Sequence, residues 1–205
     1  MGQYFDNVEL KSDIRKYKTI IFDREFWFNT DNGVFSKNKL DFGTRLLLES
    51  IPKEVIKGNI LEVGCGYGVV PIILSKFCDG TFEGVDINKR AILLANMNAR
   101  ENKCSEVTFY ESNCYSNVNR KYNFIITNPP IRAGKKIVYE IVMNAKDYLI
   151  DDGVMYIVIN KNQGAKSLVK DLNDVYNVNV INKKNGFWII NCTLRWHLVQ
   201  NVLII

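Results

Sequence analysis

Histidine is nearly absent from this sequence. His197 is the only one in 205 residues, and it lies near the C-terminus. A multi-histidine metal centre is excluded, and a Ser-His-Asp triad is left with one badly placed candidate that reads as structural. Paired cysteines are missing too. Cys65, Cys78, Cys104, Cys114 and Cys192 are odd in number and scattered, with no C-x-x-C spacing. They read as reduced thiols of a cytoplasmic protein rather than a disulfide framework or a zinc site, and no metal is expected. No apolar run approaches the roughly 20 residues that span a bilayer. The segment Met1 to Asp6 lacks the apolar core of a signal peptide, so no membrane partner is expected. Strong charge is also lacking. The chain has 27 basic and 22 acidic side chains, and the net +5 permits a nucleic-acid partner without demonstrating one.

What is present is ordinary globular composition, enough for one domain with a short extra segment. From Asn59 onward, strand and helix patterns alternate. Strands are predicted at Asn59 to Val63, Thr81 to Val85, Val107 to Tyr110, Tyr122 to Thr127, Val154 to Ile159 and Asn177 to Asn182. Helices are predicted at Val69 to Phe77, after an Asn88 cap, at Ile137 to Leu149 and at Ala165 to Tyr176. Asn185-Gly186 supplies a turn, and Phe187 to Cys192 returns as a hairpin partner. This alternation implies an α/β fold: a mostly parallel seven-stranded sheet with a C-terminal antiparallel hairpin and helices on both faces. Residues 1–58 are expected to form an N-terminal extension packed on the sheet domain. It comprises a β-hairpin (Thr19 to Phe22, Phe26 to Asn29) and a helix (Asn38 to Ser50). The catalytic domain spans 59–192. Residues 193–205, with Trp196 and Val202 to Ile205, form a tail that packs as a strand, contacts a partner or stays disordered.

The strongest local signal is Glu62-Val63-Gly64-Cys65-Gly66-Tyr67-Gly68, which follows the first of these strands and opens a helix. Glycines there let the backbone turn tightly and approach a ligand. Asp86 ends the next strand, which places a carboxylate beside the ribose of a bound nucleotide. The loop reads G-x-G-x-G, and Glu62 precedes it by two residues. A carboxylate so near opposes a pyrophosphate and suits a cation. S-adenosylmethionine carries a sulfonium and an ammonium and no phosphate, so the charge logic selects it over a dinucleotide. Leu61 to Gly68 followed by Gly84-Val85-Asp86-Ile87 resembles the first two motifs of class I S-adenosylmethionine-dependent methyltransferases, which have a Rossmann-like fold. The resemblance implies that Gly64, Cys65, Gly66 and Gly68 face the methionine part, Asp86 and Ile87 the ribose side, and Asn113 the adenine. A surface turn is the other reading of Asn113.

The fourth strand ends in Asn128-Pro129-Pro130-Ile131. Two prolines stop the ladder and leave carbonyls free. The Asn128 side-chain oxygen and the Pro129 carbonyl can each accept one N–H of an exocyclic amine, aiming its lone pair at a methyl donor. No strong general base is needed. The tetrapeptide resembles the [Asn/Asp]-Pro-Pro-[aromatic] motif of methyltransferases acting on adenine N6, guanine N2 or glutamine N5, with Ile131 in the aromatic position. Asp31 to Ser36, Asp41 to Leu47 and Asn128 to Lys135 together resemble small single-domain relatives of the ribosomal small-subunit guanine-N2 methyltransferase, over residues 20 to about 190. The resemblance implies that Phe35, Ser36 and Thr44 lie near the cofactor. A helix cap is the other reading of Ser36. The larger members carry a second, N-terminal methyltransferase-like domain, which is not expected here.

Charge is uneven along the chain. Residues 1–58 carry ten basic and nine acidic groups, residues 59–119 five and seven, and residues 120–205 twelve and six. The excess gathers in the part that holds the Asn-Pro-Pro motif, at Arg120, Lys121, Arg132, Lys135, Lys136, Lys161 and Lys166. Arg132 and Lys135 directly follow the motif and can meet phosphates beside an unstacked base, or simply be solvated. The expected activity is methyl transfer from S-adenosylmethionine, with S-adenosylhomocysteine as product, to an exocyclic amine, foremost guanine N2 of ribosomal RNA. A protein glutamine, a small molecule, or RNA binding without turnover are the alternatives.

Overall fold

The computed structural model describes residues 11–195. They begin with an antiparallel hairpin of β1 (Arg15–Ile21) and β2 (Arg24–Thr30). Both strands run longer than the sequence pattern predicts. The turn residues Phe22 and Asp23 both have positive φ, the twist a two-residue hairpin needs. Phe22 offsets that strain by packing edge-on against Phe77 and under the Lys53 ammonium.

The helix expected from Asn38 starts later, as α1 (Phe42–Ser50). Asp41 caps it, its carboxylate accepting from the Thr44 N–H. Ser36 is therefore not the cap. It has positive φ, and its hydroxyl donates to Lys39 O.

The alternating part runs β3 (Lys57–Val63), α2 (Val69–Leu74), β4 (Asp79–Asp86), α3 (Lys89–Glu101), β5 (Val107–Glu111), β6 (Tyr122–Thr127), α4 (Lys135–Tyr148), β7 (Leu149–Asn160), α5 (Ala165–Leu172), β8 (Tyr176–Lys184) and β9 (Phe187–Leu194). The helix expected to reach Tyr176 ends at Leu172, because Asn173 to Val175 turn and Tyr176 opens β8. The helix expected to reach Phe77 likewise ends at Leu74 in a run of turns. The strand expected over Val154 to Ile159 starts at Leu149, past a register shift. β9 continues to Leu194.

The seven strands lie in the order β5-β4-β3-β6-β7-β9-β8. All pairs are parallel except β7–β9 and β8–β9. Asn185-Gly186, both at positive φ, make the tight turn between β8 and β9. This is the mostly parallel seven-stranded sheet with a C-terminal antiparallel hairpin that the sequence pattern predicts, in the Rossmann-like arrangement that the resemblance implies. The strand order reverses between β3 and β6, so the open crevice lies where their C-terminal ends part. Thr127 closes the floor there, its buried hydroxyl donating to Val63 O at 2.8 Å.

Side chains alternate across the sheet into two core layers. Ile60, Phe82, Phe124 and Tyr156 face α2, α3 and the N-terminal elements. Leu61, Val85, Ile125 and Ile157 face α4 and α5. The N-terminal extension joins the first layer through Phe26, Phe28, Leu46 and Leu47, all of them buried. Each such side chain contributes roughly 1.5–3 kcal/mol by leaving water.

A second tie holds the hairpin to α3. Asn102 accepts from Trp27 N and donates to Trp27 O. Asn98 does the same with Asn29. Four helical residues rise about 6 Å and two strand residues about 6.8 Å, so side-chain amides at i and i+4 on a helix can act as a strand partner. They cover the β2 edge.

Candidate active site

The C-terminal ends of β3, β4 and β6 bring the expected residues together. After β3 the chain turns through Gly64, Gly66 and Gly68, all at positive φ. The N–H groups of Gly64 and Cys65 both bond Val85 O, at 2.8 and 3.0 Å. That pins the loop across the end of β4. The glycines then divide in role. A Cβ on Gly66 would meet nothing within 4 Å, and one on Gly64 only Pro130 at 3.7 Å. Their surface is open. A Cβ on Gly68 would strike Phe109 at 2.6 Å and Ala95 at 3.0 Å, and its N–H bonds Cys65 O. The missing Cβ of Gly68 therefore serves the packing of α2 against β5 and α3.

Two carboxylates border the loop. Asp86 at the end of β4 accepts from Gly66 N and Asn88 N, each at 2.9 Å, through different oxygens. Each oxygen keeps acceptor capacity for a hydroxyl. Burial pushes its pKa up despite those backbone donors. Glu62 is only 4% exposed, and its Oε2 has no hydrogen-bond partner among the described residues. Burial, and then the charge of Asp86, hold its pKa well above the usual carboxylate range. An isolated buried carboxylate is costly. A cationic donor removes that cost, and S-adenosylmethionine brings one. The orphaned Glu62 oxygen and the open faces of Gly64 and Gly66 fit this cofactor.

The segment before α1 folds over the loop. Tyr67 donates to Ser36 O at 3.0 Å, and Tyr17 bonds the Tyr67 hydroxyl at 2.9 Å. Asn88 caps α3 through its oxygen and holds Gly33 O through its nitrogen. Buried Asn98 donates to Tyr67 O at 2.9 Å. Ser36 thus comes to the glycine loop through its carbonyl, and Phe35 beside it is 53% exposed. Ile87 is half-buried beside Asp86. Asn113 is exposed, its backbone held by the Ser116 hydroxyl.

At the end of β6, Asn128 donates through Nδ2 to Thr44 Oγ1 at 2.9 Å and to Asp41 Oδ2 at 3.3 Å. Among the described residues, nothing donates to Asn128 Oδ1 or to Pro129 O. Thr44 was expected beside the cofactor; it touches the Asn128 amide. Asp41 stands in the resembling segment Asp41 to Leu47 but has no role of its own in the sequence reading, because a helix expected from Asn38, four residues early, hides its place as the cap. Pro129 is buried, and Pro130 O accepts from Ala133 N in a short turn. Ile131 packs toward the α4 and α5 layer and lines a cavity of about 160 Å³ with Lys135, Val138, Tyr139 and Leu168.

The basic residues separate. Arg132, Lys135 and Lys136 are exposed after the motif, and Lys161 follows β7 at the same sheet edge. Arg120 and Lys121 precede β6, at the opposite end of the strand from Asn128. Arg120 pairs with Glu83, which also accepts from Tyr110 and Tyr122. It is a structural ion pair away from the crevice, not part of a basic rim. Among the described residues, no His/Cys/Asp/Glu group is placed to hold a metal, and no helix is long and apolar enough to cross a membrane. Trp196, His197, residues 198–205 and the segment 1–10 lie outside the described residues, so the expectations for them stand apart from this geometry.

Comparison with known proteins agrees with this arrangement. Residues 25–191 match the Methyltransferase small domain family. Protein YbxB of Bacillus subtilis (strain 168) is 41% identical over 191 residues, covering 91% of this chain and 95% of that protein. Ribosomal RNA small subunit methyltransferase C of Psychromonas ingrahamii is 30% identical over 187 residues, covering 89% of this chain and 52% of that protein. The chain spans about half the length of the methyltransferase C relatives it matches. The T. thermophilus 16S rRNA N2 G1207 methyltransferase (RsmC), solved in complex with AdoMet and guanosine, superposes with a TM-score of 0.80 at 23% identity, over 91% of this chain and 52% of that one. With its Rossmann-like sheet, its open glycine loop and its match over most of the described length, this chain belongs to the Methyltransferase small domain family and is a class I S-adenosylmethionine-dependent methyltransferase resembling the 16S rRNA guanine-N2 enzymes.

Proposed function

We propose that this protein methylates an exocyclic amine of RNA, namely guanine N2 of ribosomal RNA. The observation that carries the reading is the Asn128 amide. Its nitrogen is engaged by Thr44 and Asp41, which leaves Oδ1 as an acceptor beside the free Pro129 carbonyl. Two acceptors at the end of a strand match the two N–H groups of a planar amine. Asn128 Oδ1 and Pro129 O hold those hydrogens and stabilise the positive charge that grows on nitrogen as its lone pair is used. Neither atom takes the proton outright; it leaves to solvent once the amine is alkylated. S-adenosylmethionine, when bound, supplies an electrophilic methyl group.

Glu62 faces the cationic part of that cofactor, and the open surface of Gly64 and Gly66, with the backbone of buried Cys65 between them, admits it. Asp86 accepts from ribose hydroxyls. Ile87, Asn113, Phe35 and Ser36 border the site. Arg132 and Lys135 meet RNA phosphates, and Ile131 offers an apolar wall to the base. The catalytic unit is residues 59–192 with the 1–58 segment as its cover. The names of the methyltransferase C relatives favour ribosomal RNA over other amines.

The test uses tritiated cofactor with purified small ribosomal subunits and, separately, a release factor. The expected result is label in the RNA, at a guanine absent from the modification map of cells lacking this protein. The N128A variant should bind cofactor normally and transfer roughly 100- to 1,000-fold more slowly. Label in release factor alone, or unchanged turnover by N128A, overturns the reading.

A further inference from the structure

The Asn128 amide is clamped by residues that the sequence separates widely from it. Thr44 lies 84 residues upstream and Asp41 lies 87 upstream, both at the start of α1. An asparagine amide has two nearly equivalent ends, and which one points into a crevice depends on its neighbours. Here the neighbours decide it. A carboxylate oxygen cannot donate, so the atom at 3.3 Å from Asp41 Oδ2 must be the nitrogen. The Thr44 hydroxyl then accepts from Asn128 at 2.9 Å, which turns its own hydrogen toward Asp41 Oδ2 at 3.4 Å. The same Asp41 oxygen accepts from Thr44 N at 3.0 Å as the helix cap. The result is a directed chain, Asn128 N–H to Thr44 O–H to the Asp41 carboxylate, with buried Thr44 at its centre.

Such a chain does more than hold a side chain still. Hydrogen bonds in series polarise one another in a low-dielectric setting. Acceptors on the amide N–H group push the nitrogen lone pair toward the carbonyl, which leaves Oδ1, the atom that the acceptor reading aims at the amine, more negative. We propose that Thr44 and Asp41 are positioning residues that fix the Asn128 amide with Oδ1 toward the acceptor amine and strengthen it as an acceptor. The consequence for turnover rests on the acceptor reading given above; the clamp itself does not. The helix cap thereby links the N-terminal segment to the reacting end of β6. The segment is needed for the chemistry as well as for covering the loop.

The test takes the full chain with T44V, which keeps the shape and removes the hydroxyl, and T44S, which restores the hydroxyl. On small ribosomal subunits, T44V should lower kcat roughly 10- to 100-fold with KM for cofactor and thermal midpoint nearly unchanged. T44S should recover kcat to within about threefold. A second measurement is independent of any RNA. The Asn128 side-chain NH2 signals in 15N-labelled protein, identified by their loss in N128A, should exchange with solvent about tenfold slower than exposed asparagine amides, and T44V should abolish that protection. Protected signals released by T44V, with no methyl transfer to subunits by the unaltered protein, overturn the choice of acceptor and leave the clamp standing. Unprotected signals in the unaltered protein, or T44V turnover within about twofold of it, overturn the clamp.

Discussion

The charge of Asp86 adds to burial in raising the proton affinity of Glu62, two carboxylates on neighbouring strands at one end of the sheet. Both are raised above their ordinary values in the folded protein. A group whose folded pKa is raised contributes stability below its unfolded pKa and loses it as pH rises through the folded one. The cofactor-free protein should therefore weaken as pH climbs above the ordinary carboxylate range. Glu62→Gln removes that loss. Its thermal midpoint at pH 7.5 should exceed the parent's, while cofactor affinity should fall roughly 10- to 100-fold. Calorimetry in buffers of different ionisation enthalpy, over a pH series rising from the ordinary carboxylate range, should also register proton release when cofactor binds the parent protein. No proton release, together with an unaltered midpoint in E62Q, contradicts this account.

The glycine loop should respond differently at two of its positions. Gly66→Ala places a Cβ in open space at a left-handed φ, so folding should weaken by about 1–2 kcal/mol. Cofactor affinity should nonetheless drop, because the methyl group enters the ligand's side of the loop. Gly68→Ala collides with Phe109 and Ala95, and overpacking of that kind typically adds about 1–3 kcal/mol. Thermal melts and cofactor titrations of both variants separate the two effects. A Gly66→Ala protein with unimpaired binding contradicts the assignment of the open face.

Asn98 is fully buried and bonded to Asn29 and to Tyr67 O. Asn98→Ala leaves several of those groups without partners. Stability should fall by about 3 kcal/mol, with a weaker grip on cofactor because Tyr67 loses its tether. Asn102→Ala, half-buried on the same edge, should lose about 1 kcal/mol and bind cofactor normally. Chemical denaturation and cofactor titration together decide this; equal losses in the two variants would count against the tether.

Arg132 and Lys135 are solvated beside the motif, while Arg120 is committed to Glu83. Replacing Arg132 or Lys135 with Ala should reduce the salt dependence of RNA binding by about one unit of slope each. Arg120→Ala should leave that slope unchanged and instead lower stability, since Glu83 would remain half-buried without its cation. Filter binding across a salt series reads the slope directly.

The order of the elements, the two-sided core and the turn at Asn185-Gly186 were legible in the chain because hydrophobic periodicity and glycine conformation act over a few residues. The same local signals placed Gly66, Asp86 and Asn128 at strand ends, and parallel pairing then sets those ends on one edge. Helix limits were less legible. The helix expected from Asn38 begins at Phe42, because the Asp41 carboxylate caps it there by accepting from Thr44 N. What only the tertiary structure decided is which side chains meet across long separations. Asn128 with Thr44 and Asp41, Asn98 with Tyr67, Arg120 with Glu83, and Gly68 under Phe109 are all of this kind. No local propensity encodes those meetings. They follow from how α1, α3 and the hairpin are packed onto the sheet, where buried polar groups must find partners or remain costly. Among the described residues, the packing leaves Glu62 Oε2 and Arg120 Nε buried without a hydrogen-bond partner; the sequence showed a carboxylate suited to a cation beside the loop, and only the packing decided that it is buried and unpartnered there.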